Sequence, residues 1–448
     1  MTRFIASVHI LCLFLAGTAL AFPNHLFPQQ SPDSDVKHWA LLVAGSNGWY
    51  NYRHQADICH AYQVLHQHGI PDEQIIVMMY DDIAYNEENP KPGVIINKPD
   101  GPNVYSGVPK DYTAEDVTPE NFLALLQGDQ PVSCMNCSGK VLKSDSNDHM
   151  FVYFADHGAT DLIAFPAGEL HEKKLMKTLK RMHRQQKFGK LVFYLEACES
   201  GSMFDKLPKN LSIYATTAAN PDESSWGTYC NNSMDNCLGD EYSVHWMEDS
   251  DVEDLNKESL KAQFKIVRSE TEESHPQEYG NLTMSSEMLN QYQSGSGKKF
   301  VSGRLEKPKT ASRSEVSKSE LDRVPSREVE MTMLHRRLMK TTNPLDRDVI
   351  LEKIARLTQT QRNIIQTVKA IVQSVTSDPK VAESQLHRPA RLQVVNSECY
   401  EGAVTLFSQR CFRLGQNDYA MSLVYVFANL CDQGTSLDRI LSAINDVC

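Results

Sequence analysis

The 448-residue sequence predicts an α/β domain, a mostly parallel sheet with helices on both faces, joined by a linker to an all-helical C-terminal module. Three observations predict it. Short apolar runs alternate with helical periodicities through the first part of the chain, as strands and crossover helices do. Near Gln291 the composition turns rich in Ser, Lys and Gly and poor in apolar residues. Beyond that point only helical patterns follow, and four cysteines crowd into the last 50 residues. The length is also too great for one compact core.

The elements follow in order. Residues 39–44 form an apolar strand ending in Gly45-Ser46-Asn47-Gly48, and helical periodicity over 55–68 stops at Gly69-Ile70-Pro71. A second strand at 74–80 leads into an acidic stretch rich in Pro and Gly, 81–112, which reads as mostly loop. Thr118 caps the next helix, with Pro119 at its first position. A strand at 149–154 runs into Ala155-Asp156-His157-Gly158, and a helix covers 169–185. The strand at 191–195 then delivers Glu196-Ala197-Cys198-Glu199-Ser200-Gly201-Ser202. A further strand at 211–215 and an amphipathic helix at 255–268 complete the α/β part, and helices at 328–339 and 347–375 follow the linker.

Residues 1–21 carry Arg3, a mostly apolar run and the exit Ala19-Leu20-Ala21, which reads as a secretory signal peptide cleaved after Ala21. No other window is long and apolar enough for a membrane span. Sequons at Asn136, Asn210, Asn231 and Asn281 agree with passage through the secretory pathway. In that oxidising setting Cys399, Cys411, Cys431 and Cys448 predict two disulfides of open connectivity, favoured over a zinc site because no C-x-x-C pair is among them. Cys134 and Cys137 do have that spacing, but in a polar loop, where a local disulfide is favoured over a redox motif. Cys230 and Cys237 read as a second loop staple, which leaves Cys59 and Cys198 without an obvious partner. Residues 1–300 hold 24 Lys+Arg against 40 Asp+Glu, a net of −16, while residues 301–448 hold 21 against 17, a net of +4. An acidic body tethered to a basic tail predicts that the tail docks on the body. A charge of +4 is too mild to predict nucleic-acid binding.

Two strands of this sheet end in a reactive residue beside a small-residue turn, at His157 and at Cys198. In open α/β sheets chemistry sits at such strand ends, and a sheet can place two of them side by side. A thiolate is a nucleophile, and an adjacent imidazole can take the thiol proton and return it to a leaving amine. Loop amides after His157 and around Cys198 could stabilise an oxyanion, with Gly158 allowing close approach. EACESG with a histidine upstream is a near variant of the A-C-x-G pattern of caspases.

The chain also resembles the legumains, the asparaginyl endopeptidases of lysosomes and vacuoles, over nearly its whole length. The resemblance is carried by SNGWYNYRHQAD (46–57), MMYDDIAY (78–85), DYTAEDVTP (111–119), DHGAT (156–160), EACESGSMF (196–204), YATTAANPDESS (214–225) and WMEDSDVEDL (246–255). It implies a caspase-like fold and a death-domain-like, helical prodomain that makes the chain a zymogen. The resulting division is signal peptide 1–21, protease domain 22–290, linker and activation peptide 291–340, and prodomain 341–448. The resemblance implies a Cys198–His157 acyl-enzyme mechanism with Asn51 orienting the histidine, and cleavage after asparagine or, in acid, aspartate. It places the pocket on Arg53, His54, Glu196, Ser225 and Asp240. An asparagine side chain needs both a donor and an acceptor opposite it. Arg53 can donate to its carbonyl, and Glu196 and Asp240 can accept from its amide. Protonating one of these carboxylates would admit aspartate. The expected partners are peptide and protein substrates, the chain's own prodomain and cystatin-type inhibitors, with no cofactor and no metal. The expected destination is a lysosome- or vacuole-like acidic compartment, or secretion. Ligation of peptides by the same acyl-enzyme, and a non-catalytic inhibitory role of the intact proform, are the alternatives. Two departures stand out. Lys340 occupies the position where the family's activation asparagine is expected, and Asn343 nearby is followed by Pro344. The loop 228–239, with its two cysteines, also differs from the family pattern and borders Asp240.

Overall fold

A computed structural model describes residues 36–135, 137–295, 322–389 and 392–448. The predicted signal peptide, the sequon residue Asn136 and linker residues 296–321 lie outside the described residues. The chain opens with β1 (His38–Ala44), α1 (Tyr52–Gln67) and β2 (Ile75–Met78), and a long loop leads to α2 (Pro119–Leu126) and β3 (His149–Ala155). Thr118 caps α2 by accepting from the Asn121 N–H, with Pro119 in the first turn. Three short antiparallel strands, β4 (Gly158–Ala159), β5 (Leu162–Phe165) and β6 (Gly168–His171), precede α3 (Glu172–Arg184) and β7 (Lys190–Glu196). Next come β8 (Ile213–Thr217), β9 (Trp226–Thr228), β10 (Gly239–Asp240), α4 (Glu241–Val252), α5 (Leu260–Glu270), β11 (Gln277–Gly280) and α6 (Asn290–Gln293).

The central sheet has the order β11-β8-β7-β3-β1-β2, parallel except for the β11 edge. Its strands are buried on both faces, which is why they read as continuous apolar runs rather than alternating ones. Leu42 and Ala44 point into one core with Tyr52, Trp246 and Phe151, while Leu41 and Val43 point into the other with Phe122, Leu179 and Phe193. Three elements escape the periodicity of the sequence. The β5–β6 hairpin and the short β11 carry too few residues for a pattern. Helix α4 is buried almost all round, with Ser243, His245, Asp249 and Ser250 inside together with Tyr242, Trp246 and Met247, so it shows no apolar stripe. Helix α5 begins at Leu260 rather than 255 because Ser259 caps it, accepting from the Ala262 N–H.

After the linker, β12 (Val324–Pro325) pairs antiparallel with β9, and α7 (Val329–Lys340) follows. The tail then packs α8 (Pro344–Val375), α9 (Pro379–Gln385), α10 (Ser397–Arg410), α11 (Asp418–Met421), α12 (Tyr425–Asp432) and α13 (Leu437–Val447). Asn343 caps α8 by accepting from the Leu345 N–H, which explains its start before the predicted 347. Cys399–Cys431 and Cys411–Cys448 staple α10 to α12 and to the chain end, and Cys134–Cys137 and Cys230–Cys237 are local loop bridges. The tail core of Ile371, Tyr400, Phe407 and Ile444 is continuous with Ala159, Leu162 and Ala164 of the small sheet, so the tail sits directly beyond the strand ends. There the Tyr400 hydroxyl donates to Thr160 O at 2.7 Å, and Gln416 Nε2 donates to Pro166 O at 2.9 Å and Asn47 Oδ1 at 2.7 Å.

Candidate active site

Strands β3 and β7 are paired in register, with Ala155 opposite Glu196, so the turns after them emerge side by side. Gly158 makes their approach possible. A Cβ there would lie 2.5 Å from Cys198 O and 3.0 Å from the Ala197 Cβ, too close for any other residue without backbone movement. Cys198 is buried and free of any disulfide, with its Sγ 3.2 Å from Ser224 Oγ and 3.7 Å from Ser225 Oγ. His157 Nε2 lies 2.8 Å from Asn51 Oδ1. Asn51 Nδ2 donates to Asn47 O at 2.9 Å, which fixes the amide with its oxygen towards the histidine. The Nε2 position therefore carries the proton, and Nδ1 is the basic atom. Burial, then Arg53 and then Arg327, holds His157 well below its ordinary value, so the ring is neutral and able to accept a thiol proton. The five residues Cys198, His157, Gly158, Asn51 and Ser225 thus meet at one place.

The predicted pocket residues converge beside them. Arg53 Nε donates to Asp240 Oδ1 at 2.8 Å, with both side chains buried, and Nη1 donates to Tyr50 O at 3.1 Å. Ser243 anchors one oxygen of Glu196 through its N–H at 3.2 Å and its hydroxyl at 2.8 Å. The other Glu196 oxygen and Asp240 Oδ2 have no hydrogen-bond partner among the described residues. Two buried acceptors beside one guanidinium form a recess suited to a neutral carboxamide. Burial pushes Glu196 well above the usual carboxylate range, and burial also raises Asp240 against the opposing pull of Arg53. His54 accepts or donates through Nδ1 to Ser46 Oγ at 2.6 Å, and burial, then Arg53, holds it well below its ordinary value. It serves as a neutral wall between Asp156 and Asp240, 3.6 Å from each.

His54, Asp156 and His157 are close enough to be a candidate metal trio. Their uncommitted nitrogens, however, face Asp240 at 3.6 Å and Asp418 at 3.8 Å rather than each other.

The chain itself covers the recess. Val324 and Pro325 add as a strand to β9, and Ser326 N–H donates to Ser225 O at 3.0 Å. Arg53 Nη2, the one guanidinium nitrogen not committed to the surrounding pocket, donates to Ser326 Oγ at 2.6 Å. The adjacent Arg327 donates to Gly158 O at 2.9 Å and forks onto both oxygens of the buried Glu199, at 2.5 and 3.2 Å. Arg388 from the tail holds Glu199 Oε1 at 2.6 Å, and Asp418 Oδ2 from α11 sits 3.8 Å from His157 Nδ1. The Cys230–Cys237 staple packs with Val324, Val329 and Met333, so the unusual 228–239 loop forms the seat of this covering segment. Sequence reasoning did not single out Ser326, Arg327, Arg388 or Asp418. They are remote in the chain, and no local pattern marks them. Of the sequon asparagines, Asn210 and Asn231 are exposed and Asn281 is half-buried.

The sequence matches two protein families. The Peptidase C13 family matches residues 38–295, and the legumain prodomain family matches 352–448. Legumain of Rattus norvegicus is 49% identical over 419 residues, covering 93% of this chain and 94% of the relative. The vacuolar-processing enzyme delta-isozyme of Arabidopsis thaliana is 40% identical over 463 residues, covering 98% and 97%. A solved caspase-1 from Spodoptera frugiperda aligns at 10% identity with a TM-score of 0.36, covering 61% of this chain and 97% of that one.

Proposed function

The chain belongs to the Peptidase C13 family and carries the legumain prodomain, and from that premise we propose a cysteine endopeptidase that cuts after asparagine and is made as a zymogen. Its own C-terminal module closes the active site. The observation that carries this reading is the segment 324–327, which lies on β9 as a peptide substrate would, with a hydroxyl on Arg53 beside Cys198.

The chemistry divides among the residues as follows. His157 Nδ1 removes the Cys198 proton as Sγ attacks the carbonyl carbon after asparagine, and the same proton passes to the departing amine. Asn51 holds the ring in the required tautomer. Water activated by the neutral imidazole then resolves the acyl-enzyme. In the pocket, Arg53 donates to the side-chain carbonyl of the substrate, and Asp240 and Glu196 accept from its NH2 group. Glu196 is raised in the structure, and a protonated carboxyl there donates to an aspartate carboxylate, which gives aspartate cleavage in acid.

An enzyme of this design suits an acidic lysosome- or vacuole-like compartment. A further consequence concerns activation. Residues 291–342 contain no asparagine, Asn343 precedes Pro344, and Lys340 is exposed at the end of α7. Release of the tail is therefore assigned to a peptidase of basic specificity acting near Lys340. Cystatin-type inhibitors are assigned to the cleft once the segment 324–327 has left it. Mass spectrometry of peptide products at graded pH, comparing wild type with Cys198→Ala, tests the core reading. Products ending elsewhere than at asparagine, or surviving the substitution, would overturn it.

A further inference from the structure

Behind the recess lies a buried carboxyl that the reaction does not use. Asp57, on α1, is fully buried and faces Asp240. Its Oδ2 accepts from the Asp240 N–H at 3.2 Å, and its Oδ1 accepts from Asn97 Nδ2 at 2.7 Å. Asn97 Nδ2 also donates to Leu238 O at 2.9 Å, so both amide hydrogens are committed and Oδ1 is fixed towards His60 Nδ1 at 2.7 Å. His60 Nε2 in turn meets Asp251 Oδ2 at 3.0 Å, at the half-exposed outer side of α4. A chain of contacts thus runs from Asp251 through His60, Asn97 and Asp57 to the back of Asp240. Gly239 is required for it, because a Cβ there would lie 2.8 Å from Asn97 Nδ2 and 2.9 Å from Asp57 Oδ1.

We propose that Asp57 is a positioning residue of the recognition pocket, which hydrogen-bonds Asp240 from behind and so sets whether the pocket accepts asparagine alone or aspartate as well. This rests on the reading of Arg53, Asp240 and Glu196 as the pocket for the residue before the scissile bond.

The charge balance supports it. Asp57, Asp240 and Glu196 come from α1, β10 and β7 and surround one permanent cation, Arg53, with Tyr153 of β3 beside them. Three buried carboxylates cannot all be ionised against a single guanidinium. Arg53 bonds Asp240 directly, while Asp57 has no cation in contact and is pushed well above the usual range by burial and then by Asp240. The Asp57 and Asp240 side chains also share a hydrogen bond, and its proton belongs to Asp57, the carboxyl without a cation, so Asp240 remains an acceptor. His60 stays raised because Asp251 and Asn97 favour its charged form over the cost of burial, with Glu248 adding to the pull. That keeps the N–H of His60 on Asn97 and fixes the direction of the whole chain.

The test uses the activated protein and a matched pair of peptides with Asn or Asp before the cleaved bond, measured from acid to neutral pH. Asp57→Ala removes the donor, so Asp240 protonates more readily. The Asp-to-Asn ratio of kcat/KM then rises about tenfold, the worth of one hydrogen bond to a charged group, mainly through KM. Asp57→Asn keeps a polar group towards Asp240 but sets its NH2 against one of the two N–H groups that Asp57 accepts from, so the ratio rises less than in Asp57→Ala. Labelling of Cys198 by a thiol probe is the same in all three. An unchanged ratio in Asp57→Ala, or equal rises in the Ala and Asn variants, overturns the proposal. Should Asp57→Ala fail to fold, Asn97→Ser removes a donor that favours the ionised form of Asp57, so the proton is held there more firmly and the ratio must fall or stay at the wild-type value; a rise there overturns the proposal equally. A wild type that fails to cut after asparagine sinks the pocket reading itself, whereas normal cutting with an unmoved ratio sinks only the role of Asp57.

Discussion

The two halves of the proposed cleft, one for the nucleophile and one for recognition, are built on different principles. The nucleophile half hangs from two adjacent strand ends and is sparsely bonded. Cys198 touches two serine hydroxyls, and Asn51 supplies the hydrogen bond that orients the His157 ring. The recognition half is a closed polar network in which Arg53, Asp240, Glu196, Asp57, Ser243 and Asn97 are each buried and tied to another member. A reacting group must move protons and change bonding partners, so few fixed bonds suit it. A pocket that discriminates one amide from one acid needs its donors and acceptors fixed before the substrate arrives. The two halves should therefore respond differently to substitution.

The largest expected effect is in the nucleophile half. Cys198→Ala should lower peptide cleavage by more than about a thousandfold while leaving the melting temperature nearly unchanged, since the thiol makes only weak contacts. A melting shift as large as that of a core truncation would break the contrast. Arg53→Ala is next. It leaves Asp240 buried and uncompensated, which costs roughly 3–5 kcal/mol, so both stability and asparagine cleavage should fall, measured by thermal unfolding and kcat/KM. Loss of cleavage without loss of stability would mean that the network is not closed.

Arg327→Ala removes one of the two arginines on Glu199 in the buried latch. Truncating one side of such a pair costs about 2–5 kcal/mol, and thiol labelling of Cys198 in the full chain should become correspondingly faster. Asn51→Ala should lower kcat by about tenfold and leave KM nearly unchanged, because only the imidazole loses its orienting bond.

The smallest effect is a matter of sign with pH. His157 is held low in the covered state, so the covered state binds fewer protons there. Its contribution to tail docking is present above the ordinary histidine value, about 6.5, and is lost as pH falls through it. Asp418 works the other way. Burial pushes it up to about 6 although its side chain keeps 28% exposure, so its contribution favours docking as pH falls through that value. Asp418→Asn mimics the protonated form at every pH, so labelling of Cys198 should be a few-fold slower than in wild type above about pH 6 and the same below it, which makes acid opening steeper. Identical pH profiles for the two proteins would remove Asp418 from the account.

Much of this was legible in the sequence because it is local. Apolar runs buried on both faces announce a parallel sheet whatever surrounds them. Turn residues after Ala155 and Glu196 mark where His157 and Cys198 emerge. Thr118-Pro119 starts a helix by its own chemistry, and cysteine spacing predicts the loop staples. The composition change near Gln291 separates body from tail without reference to either. The tertiary structure decided what depends on meetings between distant segments. It paired Cys399 with Cys431 and Cys411 with Cys448, which spacing leaves open because four cysteines allow three connectivities. It buried α4 almost all round, so that no apolar stripe could reveal the helix. It also gathered Arg53 and Asp240, which only the family resemblance marks in the sequence, into one desolvated cluster with Asp57, which nothing in the sequence singles out. A charge acquires a definite role only when burial removes water and leaves specific partners. The sequence therefore determined where the reactive groups emerge. Which carboxyl holds a proton, and which arginine covers the nucleophile, were set by packing among α1, β7, β10 and the returning segment 324–327.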